Sequence, residues 1–131
     1  MIIEGSVVKV VDNSGVLDAK CIKVLGNSKK KYAKIGHIII VTVRRYSLHI
    51  GYLRDDKKKD KFKKGKKFRA LVIRTKQPIQ RGVGNFLRYS DNAVILINKR
   101  GMPLSSRIRG PVMYELAEKY PVIGSLTYHV V

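Results

Sequence analysis

The sequence predicts a mainly β chain folded as a small barrel. Apolar, β-branched runs of strand length recur along it, separated by clusters of Gly, Asn, Asp and Ser. One stretch only, "PVMYELAEKY", has a helical period. Long helical segments do not alternate with the strands, which argues against a βαβ sheet. The 131 residues, 44% of them hydrophobic, suit one domain closed around one compact core. There is no internal repeat.

The elements follow in order. "GSVVKVVDNSG" (Gly5 to Gly15) is a β-branched run ending in the turn cluster Asp12-Asn13-Ser14-Gly15. "LDAKCIKVLG" alternates, with Ala19, Cys21 and Val24 on one side and Lys20 and Ile22 on the other, so the two runs read as a hairpin. "NSKKKYAKIG" is a basic loop. "HIIIVTVRRY" (His37 to Tyr46) is a third strand, too apolar at first to have a wet face, as expected of a barrel wall covered on both sides at one end.

"KFRALVIRTK" (Lys67 to Lys76) is a fourth strand, with Phe68, Ala70, Val72 and Arg74 on one face and Arg69, Leu71 and Ile73 on the other. "QPIQRGVGNFLRYSDN" reads as a Gly-rich excursion in the form of a β-ribbon, and "AVILIN" is the fifth strand. Pro111 is expected in the first turn of a helix carrying Val112, Leu116 and Tyr120 on one face and stopped by Pro121. "IGSLTYHVV" then returns as a last strand.

Charge is the dominant global signal, at +19. The stretch "RDDKKKDKFKKGKK" holds nine positive and three negative charges, so most of the excess lies elsewhere and the folded body is itself basic. A dense polyanion, nucleic acid, is the expected partner. An acidic membrane fits less well, because no segment forms a basic amphipathic helix. No run is long and apolar enough for a transmembrane helix. The start, "MIIEGSVVKVVDNSG", reads as neither a signal peptide nor an Arg- and Ser-rich transit peptide.

Motifs for catalysis are missing. "GNSKKK" fails the spacing of a phosphate-binding loop, and GxSxG is absent. Asp12 and Asp91 each precede Asn, a turn or cap pattern rather than a catalytic one. The lone cysteine, Cys21, forms no internal disulfide and reads as a small buried hydrophobe. His37, His49 and His129 lie too far apart for a zinc set. No enzyme activity, catalytic residue, metal or cofactor is expected.

The basic residues divide by type. Lys29, Lys30 and Lys31, Lys57 to Lys59, and Lys63 and Lys64 are loop clusters suited to sequence-blind phosphate attraction. For any one of them a solvated charge is the simpler reading. Arg44 and Arg45 end the third strand. Arg74, Arg81, Arg88, Arg100, Arg107 and Arg109 stand singly at strand ends or in Gly- and Pro-rich segments, where a guanidinium can fork onto phosphate or stack on an unpaired base. Lys76 and Lys99 flank such positions. His49, beside Tyr46 and Tyr52, suits either base stacking or loop packing.

Two long stretches, "VDNSGVLDAKCIKVLG" and "RYSDNAVILINKRGMPLSSRIRGPVMYEL", resemble the universal large-subunit ribosomal protein number fourteen, of the bacterial and organellar type. "YAKIGHIIIVTV" and "KFKKGKKFRALVIRTK" fit the same pattern in order, leaving about residues 48 to 60 as an insertion. The resemblance implies a small closed five-stranded β-barrel with a projecting β-ribbon and a short C-terminal helical segment. It implies a non-enzymatic constituent of the large subunit that binds large-subunit rRNA and helps bridge to small-subunit rRNA. It further implies a neighbour, large-subunit protein nineteen, and a docking surface for a ribosome-silencing factor. The chain is expected to act without a homo-oligomer.

Carried onto this sequence, the rRNA-binding candidates include Asn13 and Ser14 of "NSG", Arg74 and Lys76 of "RTK", and Arg107 and Arg109 of "SRIRGPV". Departures are Val83-Gly84 for Asp-Gly in the ribbon, Ser105-Ser106 for Gly-Thr, and Lys66 for Asp. A lost Gly at 105 would strain the backbone if φ were positive there. These changes and a Lys- and Ile-rich composition point to an organelle-encoded, mitochondrial copy, with plastid or bacterial cytoplasm as the alternative. A free barrel that coats single-stranded RNA is the competing function. It wants aromatics aligned on one strand face, and none pair there.

Overall fold

In the computed structural model, residues 1–26, 29, 31–47, 64–82 and 84–131 are described. The expectations on Lys30, Lys63, His49, Tyr52, Val83 and the 48–60 insertion lie outside them. The described strands run β1 (Ile2–Ile3), β2 (Val7–Val10), β3 (Val16–Val24), β4 (Tyr32–Ala33), β5 (Ile38–Tyr46) and β6 (Lys67–Arg74). Then come β7 (Ile79–Gln80), β8 (Phe86–Leu87), β9 (Ala93–Ile97) and β10 (Pro111–Val112). Two short helices, α1 (Tyr114–Lys119) and α2 (Pro121–Leu126), precede β11 (His129–Val130).

The five strands β2-β3-β5-β6-β9 close a barrel. All neighbours are antiparallel except at the seam, where β2 runs parallel to β9 with Lys9 opposite Ala93 and Val10 opposite Val94. β7 and β8 form the expected ribbon as a separate antiparallel pair.

Alternation explains the barrel interior. Val8, Ala19, Cys21, Ile39, Val41, Val43, Ala70, Val72, Val94 and Leu96 point inward and are buried. On β3 the inward set skips from Cys21 to Val24 because a register shift between Cys21 and Lys23 resets the alternation. Burial pushes the pKa of the Cys21 thiol up, with nearby Glu4 adding to it, so the thiol stays protonated and packs as a small hydrophobe.

The outward faces of β6 and β9 are buried as well. Leu71, Ile73, Ala93, Ile95 and Ile97 form a second apolar layer with Ile108, Val112, Leu116 and Ile123. The single core expected from the sequence is therefore two layers, one inside the barrel and one beneath the helices. Ile38 packs against the second, which is why the start of β5 lacks a wet face. Six-residue helices have little stability of their own and depend on this contact.

The expected single helix needs correction. Pro111 and Val112 are extended and pair in parallel with His129 and Val130. Proline's fixed φ suits extended as well as helical backbone, and the pairing with β11 decides between them. Pro121 does not merely stop a helix; it occupies the first turn of α2. Ser105 carries no strain, since among the described residues every positive φ belongs to glycine.

Candidate nucleic-acid interface

A cleft of about 530 Å³ crosses the barrel seam. Lys9 from β2, Arg45 from β5, Lys76 after β6 and Arg109 from the segment before β10 line it, together with Asp18 and Asp91. A second groove holds Arg107, Arg109, Tyr128 and His129. A third holds Lys76, Arg88 and Tyr89. Arg109 belongs to the first two and Lys76 to the first and third, so the three join into one basic track.

Buried polar groups set its shape. Arg74 is 5% exposed. Its Nε donates to Asp91 Oδ1 at 3.0 Å, and its Nη1 donates to the carbonyls of Arg109 (2.9 Å) and Pro111 (3.2 Å). The expectation that Arg74 itself meets RNA gives way to a positioning role: its donors are spent inside the protein, holding the segment that presents Arg109. Gly110 makes room for this. A Cβ there would lie 2.3 Å from Arg74 Nη1, and its φ of 82° disfavours a side chain regardless.

Asn13 does the same for Arg107. Its Oδ1 accepts from the backbone N–H groups of Ser106 (3.1 Å) and Arg107 (3.2 Å), while its Nδ2 donates to Ser106 Oγ. Ser14 is buried, its hydroxyl donating to Asp12 Oδ1, so it lies beneath the surface. Asp12 Oδ2 accepts from Leu96 N–H at 3.1 Å, tying the turn to β9. Asp12 and Ser14 brace this surface from below, while Asn13 is exposed and lines the second groove itself.

Arg45 Nε donates to Asp18 Oδ2 at 2.7 Å, and that hydrogen bond is the main reason its pKa rises further above the ordinary arginine value. Arg44 reaches the same oxygen only at 3.8 Å. Asp18 Oδ1 is buried without a hydrogen-bond partner among the described residues. Arg81, half-buried, is taken up by Glu115 Oε2 at 3.1 Å and by the Val131 carbonyl, tying the ribbon to α1. Tyr89 has its hydroxyl buried without a partner among the described residues, and burial raises its pKa.

Lys29 and Lys31 lie between β3 and β4, Lys64 just before β6, and Lys99 and Arg100 in the turn after β9. All are exposed, and none lines the track. Lys9, Tyr128 and His129 also line the grooves, and none of them was expected there from the sequence. For Lys9 a signal existed: a lone lysine between the valines of "VVKVV" marks an outward position on an otherwise apolar strand.

The family model for ribosomal protein L14p/L23e matches residues 1–131, the whole chain. The chain belongs to this family. Membership makes it a structural component of the ribosome.

Proposed function

We propose that the chain is a structural constituent of the large ribosomal subunit that binds large-subunit rRNA along the track from Arg45 and Lys9 through Lys76 and Arg109 to Arg107, with Arg88 on its flank. The observation that carries this reading is the continuity of the three grooves through Arg109 and Lys76. Phosphates along such a track are neutralised together, and a few forked guanidinium contacts fix register. Asn13, Ser14 and Arg74 contribute by holding the surface in place.

The finer assignments follow from the family. The exposed cations outside the track, Lys29, Lys31, Arg44, Lys64, Lys99 and Arg100, serve further rRNA contacts, including a bridge to small-subunit rRNA. Large-subunit protein nineteen and a ribosome-silencing factor are the protein partners. The insertion and the Lys- and Ile-rich composition support a mitochondrial ribosome over a plastid or bacterial one.

Charge reversal tests the central reading. Wild-type chain should sediment with the large subunit as salt is raised. The double variant Arg107→Glu, Arg109→Glu should leave it at lower salt, because two attractive contacts become repulsive. Identical sucrose-gradient profiles for the two would refute the assignment. Wild-type chain found only in the top fractions would instead favour the free single-strand-binding barrel.

A further inference from the structure

Tyr128 is 80% exposed, the most exposed large apolar side chain among the described residues. It is not on a loose segment. On one side, Thr127 Oγ1 donates to the Gly110 carbonyl at 2.9 Å. On the other, His129 pairs with Pro111, and Val131 N–H donates to the Val112 carbonyl at 3.0 Å. The same backbone that presents Arg109 therefore fixes the position of Tyr128.

Among the described residues the ring and hydroxyl of Tyr128 take no hydrogen-bonding, cationic or aromatic partner. A tyrosine held in water on a fixed backbone gains nothing within the chain from its apolar faces. Its groove neighbours decide what could use them. Arg107, Arg109 and His129 line the same groove of about 640 Å³. Two guanidinium groups favour an anionic partner over an apolar protein surface. A partner that offers phosphate and a flat π-face together is a nucleotide.

We propose that Tyr128 is a stacking platform for an unpaired RNA base, with Arg107 and Arg109 holding the flanking phosphates. The proposal rests on the rRNA-binding reading and adds a substrate distinction to it. A paired helix buries its base faces, so the ring gains a partner only where a base is splayed out of a loop, bulge or end. This part of the track then prefers unpaired RNA, while the seam cleft, lined by Lys9, Arg45 and Lys76, follows backbone charge alone.

The test uses the full chain and two RNA probes, a single strand of about twelve nucleotides and a blunt duplex of similar length, in fluorescence anisotropy at fixed salt. Tyr128→Ala should weaken single-strand binding roughly five- to a hundredfold. It should change duplex binding less than about twofold, because stacking is unavailable there. Tyr128→Phe keeps the ring and should bind like wild type. Equal losses on both probes, or no loss on the single strand, would overturn the stacking role.

Arg107→Glu separates this from the wider reading. If it weakens both probes while Tyr128→Ala weakens neither, the stacking role falls and RNA binding stands. If wild-type chain binds neither probe, both fall. A Tyr128→Ala chain with unaltered RNA affinity that no longer retains a large-subunit protein would mean that the ring serves a protein contact, and would also overturn the proposal.

Discussion

Arg74 and Arg109 meet at one carbonyl oxygen, yet their charges serve different ends. The guanidinium of Arg74 lies inside, forked against Asp91 and bonded to two main-chain carbonyls, one of them that of Arg109. Arg109 is exposed and lines two of the three grooves. Both contribute equally to the net charge of +19. Only Arg109 is available to a polyanion. The difference teaches that a basic surface needs spent cations as well as free ones, since an irregular segment such as 105–110 has few backbone partners of its own and must be braced from beneath.

If that division is right, removing the brace should cost stability first. Arg74→Met leaves Asp91 unpaired and two carbonyls without a donor. The expected loss is about 3 kcal/mol, the low end for breaking a buried pair because Asp91 keeps some water contact. Thermal unfolding should fall by on the order of 10 °C. Arg74→Lys should recover little, because an ammonium cannot reproduce the planar fork. A melting temperature unchanged in Arg74→Met would mean that the buried fork is not a brace at all.

Gly110→Ala attacks the same joint from the other side and should cost somewhat less, about 2 kcal/mol, from a positive φ and the displacement of Arg74. Its RNA affinity should also drop, since the segment carrying Arg109 must move. Stability lost with affinity intact would separate the brace from the surface and break the comparison.

The sequence carried the barrel well. Five apolar runs became the five barrel strands because each alternates or is apolar throughout, and local period survives any packing arrangement. What it hid was the second layer and the braces. Leu71, Ile73 and Ile95 could be read as one wet face or as a buried one, and the helices that cover them come later in the chain. Pro111 has a φ that fits helix and strand alike, and its pairing with His129 is a long-range fact. Arg74 looks like any strand-end arginine until Asp91, Arg109 and Pro111 surround it, and no local pattern announces that. Arg107 and Arg109, singled out because their segment is distinctive, are both exposed and line one groove. Lys9 was passed over because it sits alone.

Lys9 and Lys76 give the smallest expected effect and the sharpest edge to the comparison. Both are exposed and both line the seam cleft, but Lys9 comes from β2 and Lys76 from the segment just after β6. Alanine at either should leave the melting temperature within about 2 °C, because neither side chain holds anything in place. Each should lower the slope of log affinity against log salt by about one, the signature of one lost phosphate contact, without changing which RNA is preferred. A slope that drops for Lys76→Ala and not for Lys9→Ala would end the track at β6 and leave β2 as plain barrel wall. A slope unchanged in both would confine binding to Arg107 and Arg109, and the seam cleft would then owe its charge to solvation rather than to RNA.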